Sequence, residues 1–170
     1  MSADLKDHPT TSFTVAPIAW ARGGRPTHQD DHWGGTRCTI ELDARFGPEA
    51  LLGLDAFSHL EVIYLFDQLD PDDAHTGARH PRHNPDWPLT GIFAQRARKR
   101  PNRLGLSRAR ILSVGARTIE VEGLDALDGT PILDLKPLLI EGMPDPAQVR
   151  QPAWATALMS RYYAQDPDAG

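Results

Sequence analysis

The sequence predicts a mainly β protein of short strands, arranged as a barrel or a sandwich, with one helix near the C-terminus. Fifteen prolines and fourteen glycines among 170 residues divide the chain into short segments, which favours strands and turns over long helices. Between these breaks lie short runs rich in β-branched and aromatic residues, at irregular spacing. A chain of this length fits one domain with a substantial core.

The strand predictions follow the chain in order. Phe13–Ala21 alternates apolar and polar residues well enough for a first strand. Leu60–Leu65, with the sequence LEVIYL, is a β-branched and aromatic run bounded by turn residues, as expected of a central strand. The other predicted strands are Thr36–Leu42, Gly91–Ala94, Leu104–Val114, Thr118–Glu122 and Pro131–Leu135, with a hairpin turn at Gly115-Ala116.

Two long polar segments are predicted as loops. The first comprises Gly23-Gly24 and Thr27–Gly35, and the second is Pro71–Pro88, rich in His, Asp and Pro. Pro48–Leu52 is predicted to form a single helical turn.

The one predicted helix covers Ala153–Tyr163. Trp154, Leu158 and Tyr162 recur at i, i+4 and i+8 and form an apolar stripe, which we expect to pack on the core or on a partner subunit. We therefore divide the chain into a flexible N-terminus (1–12), a main β domain (13–140) and a C-terminal segment with one helix (141–170), fraying after Gln165.

Composition limits the classes of protein that this chain can belong to. A net charge of −5 argues against a protein that coats nucleic acid over its whole surface. Cys38 is the only cysteine, so no internal disulfide can form, and we interpret it as a small apolar strand residue. The N-terminal residues lack an apolar signal core, and no apolar run approaches membrane-spanning length. We expect a cytoplasmic protein that does not enter a membrane.

A cationic segment stands out in this acidic chain. Gly91–Ser107 reads GIFAQRARKRPNRLGLS, and no Asp or Glu occurs between Asp86 and Glu120. Pro101-Asn102 suits a tight turn that can direct side chains into a cleft. The segment therefore predicts a site for an anionic ligand or partner rather than a solvated charged face. Seven of the 18 Lys and Arg residues lie here within fifteen positions: Arg96, Arg98, Lys99, Arg100, Arg103, Arg108 and Arg110.

The other candidate sites have weaker patterns. A loop cluster of histidines (His75, His80 and His83) lacks a second group of His or Cys, so we expect a polar loop and no metal site. Ser58-His59 does not lie in a nucleophile elbow, which leaves little support for a hydrolase. Asp125 and Asp128 suit either a capped turn or a carboxylate edge that accepts hydrogen bonds from a ligand. Spacing alone leaves both interpretations open.

Three segments, taken together, carry a family resemblance. Leu54–Leu60 reads LDAFSHL, Gly91–Ser107 is similar to the pattern GxFATRSPxRPNPIGxS, and Leu124–Pro137 reads LDALDGTPILDLKP. In this order they resemble the TsaA-like family of tRNA methyltransferases, often called TrmO. The resemblance implies a compact β-barrel that binds S-adenosylmethionine, usually as a homodimer, and methylates the exocyclic amine of threonylcarbamoyl-adenosine in tRNA.

Matching positions carry the implied roles. The residues expected to bind the cofactor are Asp67, Gln68, Arg96, Leu106, Asp125, Ala126, Leu127 and Asp128. Those expected to face the tRNA substrate are Arg98, Lys99, Arg100, Asn102 and Arg103. An adenine-type amine must lose a proton as it is methylated. The candidate bases are Asp67 and His28.

The chain also departs from the family pattern. Gln95 and Ala97 stand where the family has Thr and Ser, Arg103-Leu104 replaces Pro-Ile, and Asp67-Gln68 replaces His-Gln. We expect a divergent member without the C-terminal extension of longer relatives. Two alternatives follow: a methyltransferase of the same fold that acts on a small molecule, or a non-enzymatic module that binds S-adenosylmethionine or RNA.

Overall fold

A computed structural model describes residues 12–166. The predicted flexible N-terminus and C-terminal fraying fall mainly on residues 1–11 and 167–170, outside the described residues. The regular elements are β1 (Ala19–Arg22), β2 (Arg37–Leu42), β3 (His59–Leu65), β4 (Ala78–Arg79), β5 (Thr90–Gly91), β6 (Leu104–Val114), β7 (Thr118–Glu122), β8 (Pro131–Pro137) and α1 (Ala153–Met159), with several short 3₁₀ turns between them.

Six strands close into an antiparallel barrel in the order β1-β2-β7-β6-β3-β8, and β8 pairs back onto β1. The longest pairing joins β3 to β6, from His59 opposite Arg110 to Leu65 opposite Leu104. Strands β4 and β5 form a separate two-stranded ribbon. The prediction of a mainly β protein is confirmed. Because the six strands form a closed ring, the fold is a barrel and not a sandwich.

Alternation along the strands fills the barrel. Leu60, Val62 and Tyr64 are buried on β3, where every second side chain points to the interior. The inward positions of β6 are small, including Gly105 and Ser107. Small residues on one strand therefore leave room for the large side chains of its neighbour. Further core residues are Cys38, Ile40, Leu42, Ile119, Val121, Leu124 and Ile132.

Cys38 is packed as the sequence suggested. It lies on β2 with 6% of its surface exposed, and burial raises the pKa of its thiol to about 11. Its interpretation as a small apolar strand residue is confirmed.

The outer wall of the barrel carries paired charges. Arginines on its strands meet carboxylates of adjacent strands at 2.6–3.2 Å. These pairs leave the wall with few cations free to hold an anion. The pairs are Arg22–Glu41, Arg37–Glu122, Arg110–Glu122 and Arg108–Glu61.

Two strand predictions need correction. The first strand begins at Ala19 rather than at Phe13, and Phe13 is 86% exposed. Pro17, which has no N–H to donate to a ladder, precedes the paired segment. The predicted strand Gly91–Ala94 is wrong beyond its first residue, because Ile92–Ala94 turns as a 3₁₀ helix.

The C-terminal helix is shorter than its apolar stripe suggested. It ends at Met159, so Tyr162 belongs to a non-helical segment, residues 160–166, which we call the strap. Trp154 on the helix lies 6.4 Å from Trp87 of the second loop, between ring centroids. Helix and strap therefore fold back over the loops of the barrel. No helix within residues 12–166 is long and apolar enough to cross a membrane.

Candidate ligand site at one end of the barrel

A turn between β7 and β8 provides the first part of the site. Gly123 and Gly129 bound this turn at φ of 85° and 82°, a left-handed region that favours glycine. Asp128 accepts a hydrogen bond from the backbone N–H of Gly23 at 2.8 Å, and the N–H of Gly129 donates to the carbonyl of Ala21 at 2.8 Å. The turn is thus fixed to the first loop and to β1. The Asp128 carboxylate thus bonds to a distant loop, which differs from the predicted Asx-type cap of its own turn.

Asp125, in the same turn, has a different environment. Its Oδ1 accepts hydrogen bonds from Tyr64 Oη at 2.7 Å and from Ser107 Oγ at 2.5 Å. Its Oδ2 accepts one from Tyr162 Oη at 2.5 Å. Because a carboxylate has about four acceptor positions, one position on Oδ2 remains for another donor.

Asp125 lines a cavity of about 240 Å³ at this end of the barrel. The turn, the first loop, the end of β3 and the arginine loop (residues 96–103) surround it. The cavity is mainly apolar with a few polar groups, as small-molecule sites usually are. Its lining residues are Pro26, Thr27, His28, Trp33, Tyr64, Phe66, Asp67, Gln68, Leu69, Arg98, Asp125, Ala126, Leu127 and Thr130.

Aromatic rings form two walls of this cavity. Trp33 is 2% exposed, its Nε1 donates to the carbonyl of Gln29 at 3.1 Å, and the guanidinium of Arg25 lies 4.5 Å from its ring centroid. Phe66 meets the ring of Tyr64 edge to face at 5.3 Å. Fixed flat walls beside a carboxylate suit a planar ligand that carries hydrogen-bond donors.

His28 lies on the cavity wall in a form that can accept a proton. Burial lowers the pKa of His28 below its ordinary value of 6.5, and the positive charge of Arg98 lowers it further. Asp30 opposes this shift, with its Oδ1 3.8 Å from His28 Nδ1. Because the pKa stays below 6.5, the imidazole is mainly neutral at pH 7.

The arginine loop is fixed by hydrogen bonds to backbone carbonyls. Arg100 Nη1 donates to Gln95 O at 3.2 Å, and Arg103 Nη1 donates to Leu69 O at 2.6 Å. Asn102 has φ of 62°, so the predicted turn at Pro101-Asn102 is confirmed. Within residues 12–166 the loop's one ion pair joins Lys99 to Asp73 at 2.7 Å. Its four arginines therefore keep most of their donors available to an anion.

The cavity brings together half of the site residues that the sequence singled out, while Lys99, Arg100, Asn102 and Arg103 lie outside its lining. His28, Asp67, Gln68, Arg98 and the turn residues 125–127 all line it. Three expected cofactor residues lie outside its lining. Arg96 Nη2 donates to the carbonyl of Leu106 at 2.5 Å, and both of these residues are exposed. Asp128 accepts a hydrogen bond from the first loop instead.

Sequence reasoning missed four residues of the site. Tyr64 and Ser107 each lie in a segment already singled out, so inward alternation on β3 and β6 was the available signal. Trp33 lay in a segment interpreted only as a polar loop, and Tyr162 was assigned to a helix. Trp33 and Tyr162 are far from the motifs along the chain, so no sequence pattern indicated that they lie at the site.

The candidate metal and nucleophile residues take local roles. The Nδ1 of His80 lies 2.6 Å from the carbonyl of Trp87, within the second loop. Ser58 Oγ lies 2.8 Å from His59 Nδ1 at the start of β3. In the part of the chain that the structure describes, no three His, Cys, Asp or Glu side chains converge as metal ligands would.

A family model described as the tRNA-methyltransferase O N-terminal domain matches residues 21–142, which include the cavity lining and all of the barrel except the first two residues of β1. The chain belongs to the TrmO N-terminal domain family. The resemblance of its three motif segments is thereby confirmed.

Relatives and solved structures agree with membership of the TrmO family. The chain is 42% identical over 102 residues to RcsF of Pseudomonas aeruginosa, covering 59% of this chain and 44% of that protein. It is 34% identical over 135 residues to the human tRNA (adenine(37)-N6)-methyltransferase, covering 78% and 30%. A Methanothermobacter thermautotrophicus protein named "Probable S-adenosyl-L-methionine-binding protein" is 32% identical over 126 residues, covering 72% and 88%.

The fold comparison agrees. The crystal structure of TrmO from P. aeruginosa superposes with a TM-score of 0.69 at 28% identity, covering 87% of this chain and 64% of that one. This TrmO-family chain therefore spans less than two thirds of the length of RcsF, of the human enzyme and of this TrmO.

Proposed function

We propose that this chain is an S-adenosylmethionine-dependent methyltransferase that methylates the exocyclic amine of threonylcarbamoyl-adenosine in tRNA. The observation that carries the proposal is the cavity at the barrel end, where the carboxylate of Asp125 and the aromatic walls lie beside the arginine loop. Membership of the TrmO family and the printed names of its relatives support it.

The residues around the cavity fit this cofactor. The remaining acceptor position of Asp125 suits an amino or ribose hydroxyl group, and the rings of Trp33 and Phe66 suit the faces of an adenine. Arg98, on the cavity lining, can hold a carboxylate through paired N–H groups. When bound, S-adenosylmethionine supplies a methyl group activated on a sulfonium sulfur.

The chain's own contribution to methyl transfer is to position the acceptor and to take up a proton. An attacking amine gives up one proton as its new bond to carbon forms. Neutral His28 can receive that proton, and the Asp67 carboxylate is the second candidate base on the same cavity. Holding the amine against the cofactor would provide the rest of the rate enhancement through orientation.

The charge pattern supports RNA docking at the arginine loop. Arg100 and Arg103 form no ion pair within residues 12–166, whereas the wall arginines are paired across strands. Phosphates of tRNA would therefore meet free guanidiniums beside the cavity and neutralised charges elsewhere. This arrangement would deliver a base to the cavity while the backbone stays on the loop.

We further propose that the protein works as a homodimer in the cytoplasm. Exposed apolar side chains between β8 and α1 support a subunit interface: Leu139 is 55% exposed, Ile140 84% and Val149 54%. Sedimentation equilibrium should give twice the chain mass, and a monomer at micromolar concentration would refute the dimer. The cytoplasmic location follows from the proposed substrate, because an enzyme that methylates tRNA must lie in a compartment that contains tRNA.

Two assays test the function. Calorimetric titration with S-adenosylmethionine should give one site per chain, and no binding would refute the proposal. With a labelled methyl group on the cofactor, label should then be incorporated into tRNA that carries the threonylcarbamoyl group and not into tRNA that lacks it. Cofactor binding with turnover of only a small acceptor would favour the small-molecule methyltransferase. Binding without turnover on any acceptor would favour the non-enzymatic module.

A further inference from the structure

The residue that completes the Asp125 environment lies outside the family domain. Tyr162 belongs to the strap, whereas the family model ends at residue 142. Its hydroxyl is the one protein donor to Asp125 Oδ2 within residues 12–166, while Tyr64 and Ser107 both donate to Oδ1. The two oxygens of one carboxylate are thus held by different parts of the chain.

The strap packs over the first loop and is held there by backbone hydrogen bonds. The backbone N–H of His32 donates to Arg161 O at 3.0 Å, and that of Trp33 donates to Tyr162 O at 2.7 Å. A Cβ atom built on Gly34 would lie 1.9 Å from the carbonyl oxygen of Tyr163. Only glycine at position 34 lets the strap pass so close, so the loop is shaped to receive it.

The same loop carries one aromatic wall of the cavity. Trp33 donates its backbone N–H to the strap and presents its ring to the cavity. Tyr162 therefore contacts the site through two hydrogen bonds. Its hydroxyl donates to Asp125, and its backbone carbonyl accepts from the N–H of Trp33.

We propose that Tyr162 is a positioning residue for the cofactor, fixing Asp125 Oδ2 so that its remaining acceptor position faces the bound ligand. This inference rests on the proposed cofactor and adds a contribution from the strap to the site. Oδ1 is held by two hydroxyls and needs no further support. Among the described residues Oδ2 accepts a hydrogen bond only from Tyr162, so without that hydroxyl no protein donor fixes this oxygen.

Tyr162 can serve this role across the neutral pH range. Burial raises the pKa of its hydroxyl well above the ordinary value of 10.0, and the charge of Asp125 raises it further. The hydroxyl therefore stays protonated and keeps donating. Its effect on cofactor binding should be constant from about pH 6 to about pH 9.

Titration calorimetry with S-adenosylmethionine tests the inference on the whole chain. Tyr162→Phe removes one hydroxyl and should weaken binding about tenfold. Ser160→Ala is the matched control, because the Ser160 hydroxyl, on the same strap, donates within the described part of the chain only to Ala157 O, at 2.8 Å. We expect the control to bind like the wild type. If the wild type fails to bind, the proposed function is wrong; if it binds and Tyr162→Phe changes Kd by less than twofold, the positioning role alone is wrong.

A second variant separates positioning from folding. Gly34→Ala should displace the strap without changing Tyr162, and the double variant should bind no more weakly than Gly34→Ala alone. Additive losses would overturn the inference. The Trp33 amide should stay protected from hydrogen exchange in Tyr162→Phe and should exchange fast in Gly34→Ala.

Turnover assays give a third test. Tyr162→Phe should raise KM for the cofactor and leave kcat within twofold; a change in kcat alone would contradict the proposal.

Discussion

Arg82 holds Asp31 in a bidentate ion pair, with Nη2 2.7 Å from Oδ1 and Nη1 3.1 Å from Oδ2. The pair joins the second loop to the first, and Nη2 also donates to the carbonyl of Asp30 at 3.1 Å. Both side chains are largely shielded, at 27% and 16% exposure. Arg82 has φ of 49°, an unfavourable conformation for a residue with a side chain, and the contacts across the loops compensate for it.

Replacing Arg82 with Gln should therefore loosen the first loop. We expect the free energy of unfolding to fall by roughly 1–2 kcal/mol, because a charge-assisted bidentate pair and its orientation are lost. Chemical denaturation at pH 7 measures the loss. Arg82→Lys keeps the positive charge but lacks the planar guanidinium, so it should recover only part of the lost stability.

The same variant has a defined pH dependence. The hydrogen bond from Arg82 lowers the pKa of Asp31 below its ordinary value of 3.8. A carboxyl whose pKa is lower in the folded state stabilises the fold above its unfolded pKa and loses that contribution as the pH falls through its folded pKa. The stability difference between wild type and Arg82→Gln should be full above about pH 5 and shrink below about pH 4. A difference that stays constant to about pH 3 would contradict this account.

Gly105 and Tyr64 lie opposite each other on β6 and β3, and the glycine is needed for the ring to fit. A Cβ at position 105 would lie 2.3 Å from two carbons of the Tyr64 ring. Gly105→Ala should push the ring aside, break its bond to Asp125 and cost about 1–3 kcal/mol of stability. Denaturation and cofactor titration should both show the loss. Gly91→Ala is the control, since nothing lies within 4 Å of its Cβ and its φ is −60°.

Short-range pattern was enough to predict the barrel strands. Strands β3, β6, β7 and β8 begin and end close to their predicted limits, because alternation and turn residues are local signals. Whether they close into a ring depends on pairing between β8 and β1 at opposite ends of the domain. No local pattern reports that pairing, so the residues alone left barrel and sandwich open.

Helical spacing misled the prediction at the C-terminus. Trp154, Leu158 and Tyr162 fit one helix face, yet the helix ends at Met159. The strap leaves the helical path where the carbonyls of Arg161 and Tyr162 accept hydrogen bonds from the backbone N–H groups of His32 and Trp33. A contact with a loop more than a hundred positions earlier overrides the local periodicity.

The candidate site was predicted where the motifs lie and missed where the fold adds to them. Asp67, Arg98 and Asp125 reach the cavity from segments that carried family patterns. Trp33 lines the cavity and Tyr162 bonds to Asp125, and both come from segments that carried no family pattern. Their roles depend on the packing of the first loop and the strap over the barrel end.

Methyl transfer should show an acid limb set by His28 if it is the base. The pKa of His28 is held below 6.5 by burial and by Arg98, so kcat should rise with pH and level off at or below neutrality. Arg98→Gln removes a positive charge and should raise the pKa of His28, which moves the inflection to higher pH. Arg37→Gln, on the outer wall, should leave it in place. An inflection that survives His28→Gln unchanged would make Asp67 the better candidate for the base.

Removing a phosphate contact from the arginine loop should lower the salt dependence of tRNA binding. Each contact contributes about 0.7 to 0.9 to the slope of log K against log salt concentration, so Arg103→Gln should reduce the slope by that amount. The side chain keeps donors free beyond its bond to Leu69 O, and its charge is not paired within residues 12–166. Arg37→Gln is the matched control, because Arg37 already pairs with Glu122 at 3.2 Å. Fluorescence anisotropy at several salt concentrations measures both slopes. Equal slopes for Arg103→Gln and wild type would place the tRNA elsewhere or favour a small acceptor, because a cation that contacts phosphate must release counterions when it binds.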